Sequence, residues 1–236
     1  MRIPKVTGVI RRRFLINFRI DSGVLSKVLP KPFKPKLYNG YGIGGICLIR
    51  LEQIKPKVLP FPLGVSSENA AHRFAVEWDS KEGVYIPRRD SDSILNQLLG
   101  GSLFPGIHHA AIFDVKEEDV FNFHMKSKDS EVEVSFSGEV NDTMPEGSCF
   151  QSVSDASNFF ETGSLGYSDT SDKKRYDGLS LVTSSWSVQP FNIDKVYSSY
   201  FSDRNVFPEG SIEFDHALFM SNINHEWHQE GCLCCA

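Results

Sequence analysis

The chain has 236 residues, 40% of them hydrophobic and 23% charged, with a formal net charge of -5. Those values fall in the ordinary globular range and suit one domain over 1–236, with an ordered core over about 10–230. The negative balance gives no broad cationic field, so neither nucleic acid nor an anionic membrane is an expected partner.

No stretch approaches the ~20 apolar residues that span a bilayer, and no apolar leader with a small-residue cleavage site opens the chain. Cys47, Cys149, Cys232, Cys234 and Cys235 are odd in number and do not make a disulfide framework. A soluble, unexported protein in a reducing cytoplasm is expected.

In chain order, Arg11, Arg12 and Arg13 form a tight basic run that reads as a solvated approach to a strand. Residues 13–20 then alternate, with Phe14, Ile16, Phe18 and Ile20 on one face and Arg13, Leu15, Asn17 and Arg19 on the other, the period of a half-buried strand. Asp21 is placed to cap a short helix that Pro30 stops. Residues 41–51 read as a strand in which Gly42, Gly44 and Gly45 bend the chain or let another backbone approach. Residues 65–78 and 84–86 form a hairpin through a turn at 79–83 and end at Pro87-Arg88-Arg89.

Residues 91–99 suit a helix, and 107–115, 120–126 and 131–140 read as successive strands, a run that favours antiparallel pairing. A short helix over 154–161, a polar loop over 163–178, a strand over 179–188 and a helical or irregular segment over 192–201 follow. No repeat or composition break divides the chain. The expected class is α+β but strand-dominated: an antiparallel sheet closing into a barrel or cone with a few short outer helices.

The most unusual segment is Ser66-Ser67-Glu68-Asn69-Ala70-Ala71-His72-Arg73, which sets several polar groups among apolar strand residues. On a strand Glu68, Ala70 and His72 share one face, and Asn69, Ala71 and Arg73 the other. Such groups either form a closed ion-pair cluster or face a ligand cavity. In Tyr85-Ile86-Pro87-Arg88-Arg89-Asp90 the adjacent arginines diverge, so at most one of Arg88 and Arg89 lines a pocket, where its fork suits a carboxylate.

His108 and His109 also diverge, which disfavours a shared metal and leaves His108 as a wall or proton-transfer residue. The end of the chain, with His225, His228, Cys232, Cys234 and Cys235, matches no zinc pattern and no prenylation box; a flexible tail over 229–236 is expected there. No nucleotide-binding or hydrolase signature is present, and Gly40 to Gly45 enters a strand instead of opening a helix, so it is no phosphate cradle. Neither metal nor cofactor is expected.

Asn17-Phe18-Arg19-Ile20-Asp21, Gly45-Ile46-Cys47-Leu48-Ile49-Arg50-Leu51, Ser67 through Arg73, Val84 through Asp90 and Asn224-His225-Glu226-Trp227-His228 together resemble a bacterial family, the domain of unknown function 2071 family, over roughly residues 10–230. That family is grouped with acetoacetate decarboxylase. The resemblance implies a cone-like antiparallel barrel with a buried pocket and frequent homo-oligomerisation. It also implies a Schiff-base lysine of lowered pKa within about 85–101. No lysine occurs between Lys81 and Lys116, and Lys81 sits in the expected turn. A Schiff-base decarboxylase is therefore not expected.

By motif order Glu68 corresponds to the family's pocket glutamate and is the expected catalytic residue, with Asn69, His72, Arg73, Tyr85, Arg88, Arg89 and His108 as expected ligand contacts. The functional expectation is a protein that binds a small carboxylated molecule. Turnover, if any, would be acid–base chemistry of lyase or isomerase type on an oxo or hydroxy acid. The alternative is a non-enzymatic structural or interaction protein with a closed polar network in the barrel.

Overall fold

The computed structural model describes residues 5–57, 65–93, 106–161, 164–170 and 174–234. Strand β1 runs over Val6–Asp21 and is followed by helix α1, Ser22–Val28. Asp21 Oδ1 accepts from the Val24 amide at 2.9 Å, the cap expected from sequence. Strands β2 (Lys34–Pro35), β3 (Leu37–Tyr38), β4 (Tyr41–Pro56), β5 (Val65–Trp78), β6 (Lys81–Ser91), β7 (His108–Glu117), β8 (Phe121–Ser127) and β9 (Glu133–Val140) come next. Helix α2 spans Val153–Glu161, and β10 (Leu165–Asp169), β11 (Arg175–Thr183), β12 (Gln189–Ser198) and β13 (Ile212–Cys234) complete the chain. Ser152 Oγ accepts from the Asp155 amide and starts α2.

Among the described residues all strands belong to one 13-stranded sheet, whose pairing returns on itself twice. The longer circuit runs β1-β4-β5-β6-β7-β8-β9-β12-β13 and back to β1. The shorter leaves β6 for β10, passes to β11 and rejoins β13. The two share β13, β1, β4, β5 and β6, so that common wall is covered on both faces. One face packs phenylalanines around Phe14, which meets Phe191 at 4.9 Å and Phe136 at 5.0 Å. The other holds Leu15, Cys47, Ile49, Leu181 and Leu218, with Phe159 and Phe160 of α2.

Several expectations change at this level. Strand β1 is not half-buried: Leu15 and Asn17, on its second face, are as inaccessible as Phe14. Of the basic run Arg11 alone is exposed; Arg12 is 2% exposed and Arg13 partly buried, so those two are not part of a solvated approach. The hairpin turn is the two-residue Asp79-Ser80, both with positive φ, and β6 begins at Lys81.

Residues 189–198 form β12 instead of a helix. The register slips between Ile193 and Lys195, which breaks the alternation that would have signalled a strand. The polar loop expected over 163–178 contains β10 and the start of β11. Residues from Gln229 to Cys234, expected in a tail, continue β13 against β11. The helix expected over 91–99 lies largely outside the described residues, and Ser91 itself closes β6. No helix of the described residues is long and apolar enough to cross a membrane.

Candidate functional site

The shared wall is a grid in which residues of neighbouring strands line up in rows. One row is His216 (β13), Asn17 (β1), Gly45 (β4) and Arg73 (β5). The next is Leu218, Leu15, Cys47, Ala71 and Arg89, and the third is Met220, Arg13, Ile49, Asn69 and Ser91. Small Ala71 and Cys47 at the centre leave space between the three arginines. A cavity of about 370 Å³ opens there, floored by Arg13, Cys47, Asn69, Arg73 and Arg89 and roofed by Leu181 of β11, Phe160 of α2, Trp186 and Trp227.

Which of the adjacent arginines enters is decided by a β-bulge. His72 opposes Arg88, yet Phe74 opposes Tyr85, so Arg73 faces both Ile86 and Pro87. Pro87 has no amide hydrogen to offer the ladder, and a bulge is where a strand tolerates that. The extra residue exchanges the faces of β6, so Arg89 joins Val84 and Ile86 on the cavity. Arg88 turns to the opposite face, where it donates to Asp90 at 2.9 Å, Asp129 at 2.8 Å and Glu131 at 2.7 Å.

Each cavity arginine is fixed by neutral groups. Arg73 Nη2 donates to Asn17 Oδ1 at 2.7 Å and its guanidinium carbon sits 4.8 Å from the Phe160 ring centroid. Arg89 Nε donates to Ser168 Oγ at 3.1 Å. Arg13 Nε points to Cys47 Sγ at 3.2 Å, beneath Trp186. Among the described residues none of the three has a carboxylate partner: Asp90 is taken by Arg88, and Glu161, exposed at the end of α2, forms no ion pair. Buried Arg13 Nη1 and Arg73 Nε donate to no atom among the described residues. Burial pushes the guanidinium pKa of both Arg73 and Arg89 down to about 10, which leaves them charged at neutral pH.

Behind Arg73 the polar row continues. Asn17 Nδ2 donates to His216 Nε2 at 3.1 Å, and His216 Nδ1 donates to Asp215 Oδ2 at 2.6 Å. Burial holds the imidazole pKa below its usual value, while bonds from His216, Cys149 N and Ser148 keep the Asp215 carboxyl at about 2 against burial. The chain of donors is consistent throughout: charged Arg73, amide, neutral imidazole with its proton on Nδ1, carboxylate. Gly45 makes this contact feasible, because a Cβ there would run into the Ile16 carbonyl and come within 2.9 Å of Asn17 Oδ1.

Of the residues expected from sequence, Asn69, Arg73, Arg89 and His108 line the cavity. Glu68, His72, Tyr85 and Arg88 do not. Glu68 lies across β5, where its Oε1 accepts from Arg12 at 2.7 Å and Arg50 at 3.0 Å; burial pushes its carboxyl up despite both cations. His72 packs against Tyr200 and Phe201 with Ser198 Oγ 3.3 Å from Nε2, and burial lowers its pKa to about 3. Tyr85 donates to Asp169 at 3.2 Å within the aromatic core. Arg13, Cys47, Phe160, Trp186 and Trp227 were not expected at the site; only the strand alternation that puts Arg13 on the face of Asn17 hinted at one of them. Among the described residues no group of three His, Cys, Asp or Glu could hold a metal.

The family model for domain of unknown function 2071, described as an uncharacterized conserved protein, matches residues 9–221. No curated protein sequence matches the chain. Solved structures with similar folds include acetoacetate decarboxylase from Legionella pneumophila subsp. pneumophila str. Philadelphia 1, with TM-score 0.61 at 12% identity over 97% of this chain and 87% of that one. The enduracididine biosynthesis enzyme MppR complexed with pyruvate gives 0.60 at 10% identity over 100% and 91%. An acetoacetate decarboxylase-like enzyme from Sphingomonas wittichii RW1 gives 0.58 at 10% identity over 100% and 94%. At these identities the likeness speaks for fold alone. With the family model spanning most of the chain, this protein belongs to the domain of unknown function 2071 family and has the acetoacetate decarboxylase-like fold.

Proposed function

We propose that the protein binds a small carboxylated organic molecule in the cavity between Arg13, Arg73 and Arg89, inside a cone-like barrel formed by the closed circuits of strand pairing. One observation carries the reading: three guanidiniums line a largely apolar cavity and, among the described residues, none of them is paired with a carboxylate, Asp90 in the same lining being held by Arg88. Buried charge of one sign is costly unless paired, and a ligand carboxylate offsets it through charge-assisted forks. The volume suits a small molecule. MppR, seen with pyruvate, is a precedent for a small carboxylate in this fold.

A lysine Schiff base is not part of the proposal. No lysine occurs between Lys81 and Lys116, and none lines the cavity among the described residues. If the bound acid is turned over, the chemistry falls to acid–base groups on the wall, of which His108 is one.

The test is a thermal-shift screen of the purified protein against small keto, hydroxy and dicarboxylic acids, since a ligand specific to the native state adds about 2.7 kcal/mol at a hundredfold excess over Kd. A rise lost in Arg73→Met and Arg89→Met supports the site. No rise with any acid sinks the reading. The closed-network alternative is favoured for two sets of residues, Arg12-Glu68-Arg50 and Arg88-Asp90-Asp129, each of whose charges has an opposite partner within the protein.

A further inference from the structure

We propose that Cys47 is a nucleophile toward 2-oxo acids, its thiol adding reversibly to the carbonyl carbon of the molecule held in the cavity. The inference rests on the carboxylate reading above and adds to it an electrophile and a covalent step.

Cys47 lies in the middle of the cavity floor, in the row Leu15-Cys47-Ala71, and the small Ala71 beside it leaves the sulfur uncovered on that side. Its Sγ is 3.2 Å from Arg13 Nε. The same sulfur is close enough to act electrostatically on Arg73 and Arg89, so each of the three cavity arginines interacts with it. Arg73 is 4% exposed and lines the same cavity, and its Nε donates to no atom among the described residues. An electropositive setting reachable from a cavity is where cysteines react. Among the described residues the lining holds no lysine, and its hydroxyls, those of Ser164 and Thr183, are far poorer nucleophiles than a thiol.

The class of electrophile follows from the Arg13 contact. Because Arg13 holds the sulfur with one nitrogen, a carboxylate paired with the same guanidinium lies beside that sulfur. The carbon bonded to the carboxylate is then the one nearest the thiol, and a carbonyl at that carbon makes the molecule a 2-oxo acid. The bond from Sγ to carbon forms as the carbonyl π bond breaks, and the thiol hydrogen ends on the carbonyl oxygen. The product is a thiohemiketal; nothing leaves, and no oxidant or reductant is needed. Guanidiniums lining the cavity stabilise the charge that grows on the oxygen during the addition.

The experiment is carbon NMR of the full chain with pyruvate labelled with carbon-13 at its carbonyl carbon, beside thermal-shift measurements with pyruvate and the other acids of the screen. We expect a new resonance from a tetrahedral carbon, distinct from the pyruvate hydrate seen without protein. It should disappear in Cys47→Ala and in Cys47→Ser and survive in Cys232→Ala. The serine variant keeps the side-chain volume, so the test stands where the alanine chain folds poorly. A midpoint raised by pyruvate without the new resonance overturns the inference and leaves the carboxylate reading intact. A resonance that persists without Cys47, or an imine carbon in its place, assigns the capture to another group and overturns it equally. So does a chain that binds other acids of the screen but not pyruvate. No rise with any acid removes the carboxylate reading itself.

Discussion

Arg73 reaches Asn17 across Gly45, a residue of the strand between them, and the two side chains meet at 2.7 Å over a position that has no side chain of its own. Gly45→Ala should therefore act at a distance from its own small volume. The added methyl meets the Ile16 carbonyl and the Asn17 amide oxygen, and neither the backbone nor the wedged Asn17 can give way cheaply. We expect a loss of about 1–3 kcal/mol in urea unfolding, the range for overpacked interiors, together with weaker acid binding by the fraction that folds. Unchanged binding with lowered stability would show that Asn17 does not set the pose of Arg73.

Glu68→Ala separates the two faces of β5. It leaves Arg12, 2% exposed, with only the half-exposed Glu117 as a carboxylate partner, so stability should fall, by less than the roughly 3–5 kcal/mol of a buried charge left wholly unpaired. Ligand affinity measured on folded protein should stay within about two-fold, because the side chain is on the far side of the sheet. A selective loss of binding with stability intact would return Glu68 to the site.

The buried histidines make stability depend on pH. His72 and His225 titrate in the folded chain near pH about 3 and about 4, and His216 also below its usual value, all chiefly through burial. The unfolded chain takes up these protons first, from about pH 6.5 downward, so their contribution is whole above that value. It is lost progressively as the pH falls toward 4 and then 3. Each contributes a slope of up to about 1.4 kcal/mol per pH unit in that window. Urea unfolding at pH 7, 6 and 5 should show stability declining, and His72→Gln should decline less steeply. Parallel slopes for the two proteins would mean that His72 is protonated, or reached by water, in the folded state.

Cys47 offers a chemical readout of the cavity's field. It lines the cavity beside Arg13, whereas Cys232 is exposed and donates to Asp177 at 3.2 Å. Iodoacetate, an anion, and iodoacetamide, its neutral analogue, should partition differently between the two thiols. By peptide mapping, the iodoacetate-to-iodoacetamide ratio at Cys47 should exceed that at Cys232 by roughly ten-fold or more, the scale of electrostatic focusing in a cleft. Arg13→Met should shrink the difference. Equal ratios would show that the arginines are screened by something other than a displaceable ligand.

What could be read in advance followed local periodicity. The two faces of residues 68–73, the divergence of Arg88 and Arg89 and the Asp21 cap each depend on neighbours a few positions away, and each stands in the structure. Which face of β5 meets a ligand was not legible, and the expectation placed Glu68 there. That choice is set by β11, α2 and Trp186, which come far later in the chain. The entry of Arg89 in place of Arg88 depends on a bulge opposite Arg73, and Arg13 is buried only because both faces of β1 are covered. Asn17 and His216 are 199 residues apart, so nothing in either neighbourhood announces their bond.

The pairing of β1 with β13 has a consequence for how the molecule is made. Val6 lies opposite Trp227 and Ile20 opposite Ile212. During synthesis β1 emerges before β13 and must wait, one long edge unpaired, until every strand between them has been translated. Both circuits close only through β13, so neither the phenylalanine core nor the arginine cavity exists before that strand arrives. Such long-range closure makes for slow folding and a prolonged exposure of strand edges, and the interval between the birth of β1 and that of β13 is when a nascent chain of this fold most needs a chaperone.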